Sequence, residues 1–188
     1  MAAGKKSREI QFTLNDDDFK MFGHYRILYT DQGHKLVRRQ RLTYLISAAA
    51  LAGLFTVFHV DKNFTILVYI IAAAMAVVGL LFAETLVLKQ QDNVIAKTEY
   101  SAERVHAAQH RIRFEEDGFT TYAGDDEQHF DYKDVKLMDF TDSAIYVWLS
   151  DEMIMPIPEH AFRNMSEMKE FNKWLKERIE ENGGNAKQ

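Results

Sequence analysis

The chain has 188 residues, of which 47% are hydrophobic and 27% charged, with nine Gly, two Pro and no Cys. So few Gly and Pro exclude a collagen-like fibre, and the absence of thiols excludes thiol catalysis, thiolate zinc sites and iron–sulfur ligation. Charge divides by segment: residues 1–41 carry nine Lys/Arg against five Asp/Glu, 42–88 one against two, and 89–188 thirteen against twenty-one, so a basic lead-in, an apolar middle and an acidic tail follow one another.

Ile10, Phe12 and Leu14 alternate with Gln11 and Thr13, the period of a strand with one buried face. Asn15 and the Asp run 16–18 then supply N-cap chemistry. Phe19, Phe22, Tyr25 (or Arg26) and Tyr29 follow at helical spacing. This amphipathic helix would rest on a membrane surface or on the C-terminal domain. A strand this short is not stable alone, so Ile10–Leu14 is expected to add an edge to the C-terminal sheet.

The middle of the chain is two apolar runs. Leu42–Val60 is nineteen residues without a formal charge, fourteen of them apolar, and Phe64–Ala83 is twenty, eighteen of them apolar. Crossing about 30 Å of hydrocarbon takes roughly 20 helical residues, so both runs suffice. Only Asp61, Lys62 and Asn63 separate them, which predicts a tight helical hairpin. Two buried helices in a soluble core are disfavoured, because so short a chain could hardly cover both on every face. A signal peptide is disfavoured because the first run starts forty residues in and a second follows at once.

Lys35, Arg38, Arg39 and Arg41 precede the first run and Lys89 follows the second. By the positive-inside rule both termini are expected in the cytoplasm, in a multi-pass protein of the inner (plasma) membrane. The domains expected are 1–41 (strand, amphipathic helix and basic lead-in), 42–88 (hairpin, spans 42–60 and 64–88) and 89–188 (linker helix and sheet domain). Glu84 could be an intramembrane carboxylate. At twenty residues from Phe64, about 30 Å along a helix, it falls instead at the inner interface. The pairs Ala49/Gly53, Ala72/Ala76 and Gly79/Ala83 have the spacing that lets helices approach closely. Their simplest use is packing the two spans together, with homodimerisation as the alternative.

Residues 89–109 read as a polar helix, with Ser101–Glu103 as an interruption. The period then changes to two. Arg111–Phe114 and Phe119–Tyr122 flank the turn Glu116-Asp117-Gly118 as a hairpin. After a turn over 123–127, strands are expected at Gln128–Tyr132, Lys133–Phe140, Ala144–Leu149 and Met153–Ile157. Tyr146 and Trp148 share one face of their strand and are expected to meet Trp174. The closing helix is expected to be capped by Ser166, to carry Met168, Phe171, Trp174 (Leu175) and Ile179 on one stripe, and to stop at Asn182-Gly183-Gly184. The fold class is therefore an α+β membrane protein: a two-helix hairpin plus a small antiparallel sheet or open barrel covered by a C-terminal helix.

These residues resemble a known family. The helix start "DDDFKMFGHY", the basic-flanked two-span hairpin and the tail with "EEDGF" at 115–119, "YKDVKLM", "AIYVWLS" and "MPIPEHAF" look like the YcxB-like family of bacterial membrane proteins. The resemblance covers nearly the whole chain and implies a PH-like fold for the tail. It implies a location and an architecture but no biochemical activity. The chain departs from the family where Tyr132 stands for the common Trp, and where Glu159 follows the Pro in place of a basic residue.

The residues supply little chemistry. His106 and His110, four apart on a helix with Glu103 before them, form the one metal-like spacing, with no third strong ligand fixed; exposed histidines are the favoured reading. The acidic runs Glu115-Glu116-Asp117 and Asp125-Asp126-Glu127 fall on turns and lack the pattern of a calcium loop. No catalytic, cofactor or metal residue is assigned and no enzyme activity is expected. The expected role is a membrane-anchored interaction or regulatory module whose partners are the lipid bilayer and a protein, or a second copy of the chain. The alternatives are a small membrane enzyme or transporter accessory with an unrecognised site, and a lipid-headgroup sensor. Nucleic acid is disfavoured by the acidic tail. Phosphorylated headgroups are disfavoured by twelve Asp/Glu against Lys133 and Lys136 between Glu115 and Glu152. Arg111 and Arg113, on one face of their strand, are the one credible basic pair.

Overall fold

The computed structural model describes residues 7–58, 62–97, 109–123, 126–150 and 153–186. Among these the chain is α+β, with four helices and two antiparallel sheets. Contacts divide it into two units, one of residues 1–22 with 98–188 and one of residues 23–97.

The first unit is a sheet domain. Strand β1 (Arg8–Phe12) pairs antiparallel with β2 (His110–Phe114), which pairs with β3 (Gly118–Ala123), which pairs with β4 (Asp126–Asp131). The register sets Ile10 opposite Ile112 and Phe12 opposite His110. The N-terminal segment is thus an edge strand of the C-terminal sheet, as its alternation demands. Its two inward side chains have nowhere else to leave water. A second sheet, β5 (Leu137–Phe140), β6 (Ala144–Trp148) and β7 (Ile154–Pro158), is a three-strand meander. The expected strand from Lys133 begins at Leu137 instead, because residues 132–134 form a 3-10 turn that buries Tyr132. The Tyr132 hydroxyl donates to the Glu115 carbonyl at 3.3 Å, and burial pushes its pKa well up.

Helix α4 (Met165–Glu181) closes this domain. Asn164, not Ser166, is its cap. The Asn164 side chain accepts from Glu167 N at 2.9 Å, while the Glu167 carboxylate accepts from Arg163 N at 2.8 Å. This pair satisfies two N–H groups at the helix entry, those of Glu167 and Arg163. The helix ends in a Schellman turn: Gly184 N donates to Ile179 O at 2.9 Å and Gly183 N to Glu180 O, with Gly183 at φ 81°. Met168, Phe171, Leu175 and Ile179 enter the core beside Ile112, Phe114, Phe119, Ile145, Val147 and Ile157. Trp174 packs at the edge of this core, edge-on to Phe114 at 5.9 Å.

The expected meeting of Trp148 with Trp174 does not occur. Ile145 and Val147 point into the core, so the alternate residues Tyr146 and Trp148 point the other way. Tyr146 is buried there under Phe22 of helix α1 (Asp16–Tyr29), with ring centroids 6.3 Å apart. The start of α1 is fixed by Asn15 and Asp18: Asn15 Oδ1 accepts from Asp17 N and Asp18 N, and Asp18 Oδ2 accepts from Asn15 N at 2.7 Å. His160 bridges Asp18 at 3.5 Å and the Thr13 carbonyl at 3.2 Å.

The second unit is helical. Thr30 caps α2 (Asp31–Val57), accepting from Gly33 N at 3.0 Å, so the basic segment 35–41 and the first apolar run form one continuous helix. Helix α3 (Lys62–Lys97) likewise runs from the second apolar run through the polar residues after Lys89 without a break. Residues 98–108, which hold the expected interruption at 101–103, lie outside the described residues. Val68, Ala72 and Ala83 of α3 are buried, and Gly79 sits against the Tyr44 ring of α2. The α3 small-residue stripe therefore packs the hairpin. Gly53 of α2 has nothing near it, so the Ala49/Gly53 pair is not used in the same way. Where α1 ends, Ile27, Val37 and Ala83 form a small core, and His24 pairs with Asp92 at 2.7 Å.

Candidate functional site

Two features of the structure could carry function, and the first is the hairpin surface. Both α2 and α3 are long and apolar enough to cross a membrane. Leu42, Ile46, Leu54 and Val57 of α2 and Ile66, Ile70, Leu81 and Phe82 of α3 are exposed. A soluble domain rarely leaves so long a run of large apolar side chains in water. Glu84 is exposed on α3, one residue past the fully buried Ala83.

The second feature is a slot of about 280 Å³ between the two sheets, inside the sheet domain. Its floor follows the strand register. Phe12, His110 and Ala123 stand side by side across β1, β2 and β3, and Ile112, Thr121 and Gln128 across β2, β3 and β4. Phe130 continues the floor, and Leu14 extends it past the end of β1. The roof is Leu149, Met153, Ile154, Met155 and Pro156, from the β6–β7 corner. Rows of side chains arise because alternate residues of each strand face inward, so a stretch of small or polar residues at Thr121 and Ala123 leaves the row unfilled.

His110 gives this slot its one unusual group. The ring stacks on Phe12 with centroids 5.7 Å apart, and Nε2 is buried without a hydrogen-bond partner among the described residues. Burial lowers its pKa, so the imidazole is neutral near pH 7. An unpaired buried polar atom costs on the order of 1–3 kcal/mol, and such atoms call for a reason. Thr121 Oγ1 donates to the Gln128 carbonyl at 3.3 Å.

His110 opens strand β2 and does not lie in a helix. Glu103 and His106 lie outside the described residues. Among the described residues no three metal-ligating side chains cluster. Arg111 and Arg113 stand on the opposite face of β2, stacked over the Tyr122 ring at 4.3 and 5.8 Å, and Arg113 reaches Glu9 at 3.7 Å. Lys133 pairs with Asp131 and holds that carboxyl below its usual range by hydrogen bond and charge. The slot itself is not legible from linear spacing, because the hairpin separates Phe12 from His110. The alternations at 10–14 and 110–114 signal the inward row of Phe12 and His110, but not the unfilled volume beside it.

Residues 114–175 match the family model described as YcxB-like protein. The match runs from the end of β2 through both sheets into α4, and the resemblance read from the tail motifs holds over that stretch. Comparison with the curated proteins and with the solved structures gives no match.

Proposed function

We propose that the chain, whose residues 114–175 match the YcxB-like family model, is a membrane-anchored interaction or regulatory module that presents a PH-like domain at the cytoplasmic face. The observation that carries this is the pairing of β1 with β2. One strand precedes the hairpin and the other follows it, so a chain with α2 and α3 in a bilayer can pair them only if both spans are crossed and both ends return to one side. The PH-like reading is supported by two antiparallel sheets, of four and three strands, sharing a core with one C-terminal helix. The cytoplasmic side is supported by Lys35, Arg38, Arg39 and Arg41, all exposed on α2 just before its apolar run.

The test exploits the cysteine-free sequence. Single cysteines at Lys62→Cys, at the α3 start, and Lys133→Cys, in the sheet domain, are treated on intact cells with a membrane-impermeant maleimide. Labelling at position 62 only is expected, with position 133 labelled after permeabilisation. Labelling of position 133 on intact cells would refute the orientation. For the interaction role, a photo-crosslinker on the outer sheet face should give discrete adducts in native membranes. A chain that gives none from any position on that face speaks for one of the other functional classes.

A further inference from the structure

From the slot we infer that the sheet domain binds a single-chain aliphatic amphiphile with an uncharged hydrogen-bonding head, a ligand of roughly eleven non-hydrogen atoms. The inference stands apart from the interaction role and from the membrane orientation.

Size and shape set the chain. A dry cavity of about 150 Å³ accepts benzene, so about 280 Å³ scales to roughly eleven heavy atoms. The floor draws side chains from all four strands of the first sheet, three interstrand spacings or roughly 14 Å. A flexible chain fills such a slot better than a compact ring. The roof has Met153 and Met155, whose unbranched thioethers adapt to a chain that takes several conformations.

The head follows from the polar groups. His110, Thr121 and Gln128 line the slot, and none of the three carries a charge near pH 7. Arg111 is the one charged residue of the lining, and its guanidinium lies on the opposite face of β2, over the Tyr122 ring. A carboxylate or phosphate would find no free cation there, and an ammonium no carboxylate. A hydroxyl or primary amide can both donate and accept, and so suits a lining of neutral donors and acceptors such as His110, Thr121 and Gln128. An apolar slot with a few converging neutral polar groups is the usual form of a small-ligand site.

The experiment uses the full chain in lipid nanodiscs, titrated with 1-decanol and followed by hydrogen-exchange mass spectrometry. Exchange of segments 109–123 and 126–131 should slow saturably, while decanoate and decylammonium at equal concentration leave it unchanged. His110→Phe keeps the stack on Phe12 and removes the hydrogen bond. It should raise the half-saturating concentration about tenfold, the size of one such bond. Thr121→Phe fills the slot and should abolish the effect; if it does not fold, Ala123→Leu makes the same test at the slot's edge. Protection that never saturates, or that survives the filling substitution, would show partition into the bilayer only and overturn the inference. Equal binding of decanoate or decylammonium would overturn the neutral head.

Discussion

Phe12 offers the sharpest test of how this chain is put together. It sits next to the N-terminus and is separated from its neighbours in the sheet by the entire hairpin. Its side chain is nevertheless 8% exposed and lies in the same core as Ile112 and Phe114. Truncating a buried Phe to Ala costs ~3–5 kcal/mol. Phe12 borders a slot that is already open, so less new cavity forms and the lower end, ~3 kcal/mol, applies. A domain of about 100 residues loses roughly 4–8 °C of Tm per kcal/mol, so the Phe12→Ala melt should fall by more than 10 °C. Gln11→Ala is the control, since Gln11 faces outward and exposed changes stay within about 0.5 kcal/mol. Trp174 reports the event locally, because the Arg8 guanidinium of the same strand lies 4.6 Å from its ring centroid. Its fluorescence can be isolated in a Trp148→Phe background. Equal melts for Phe12→Ala and Gln11→Ala would refute the docking of β1 in the core.

Gly79→Leu should disrupt the hairpin, since a Cβ there would lie 2.2 Å from Tyr44 Cβ, whereas Gly53→Leu meets nothing and should be silent. Protease resistance of the hairpin in nanodiscs separates the two. His110 titrates lower folded than its ordinary value of 6.5, so below that pH the unfolded chain binds more protons. Stability therefore falls as pH drops through 6.5 towards the folded value, and denaturant melts between pH 7.5 and 5 should show this loss in the native chain and lack it in His110→Phe. Vesicles carrying phosphoinositide should not bind the sheet domain through Arg111 and Arg113, because the pair is outweighed by twelve Asp/Glu against two Lys over residues 115–152. Salt-sensitive co-sedimentation of the full chain that disappears in the Arg111→Ala, Arg113→Ala double variant would refute this.

Where the sequence pattern reports a local preference, the structure follows it. Alternation expected at Ile10–Leu14, Arg111–Phe114 and Ala144–Leu149 corresponds to strands at Arg8–Phe12, His110–Phe114 and Ala144–Trp148, and the 3–4 spacing of Met168, Phe171 and Ile179 becomes the buried stripe of α4. The misses come from choices the local pattern leaves even. Tyr146 and Val147 are both apolar, so which face of β6 meets the core depends on the partners available. The core took Ile145 and Val147, while Tyr146 went to Phe22. Leu175 outcompeted Trp174 for the centre of the stripe for a similar reason, because the flat indole is accommodated at the edge beside Arg8. The slot was illegible because it is defined by missing volume at Thr121 and Ala123, and hydrophobic pattern records what is present rather than what fails to fill.

The pairing of β1 with β2 also constrains how the chain can fold. Between Phe12 and His110 lie both long helices, and closing so large a loop from a flexible chain costs entropy that grows with (3/2)RT ln n. The antiparallel packing of α2 on α3, with Gly79 against Tyr44, turns the chain back and removes most of that search before the strands meet. Strands β2 to β7 are contiguous in sequence and can form by local pairing, whereas β1 can join only once the hairpin has closed. Completion of the first sheet, and with it the Phe12 wall of the slot, is thereby made conditional on the hairpin.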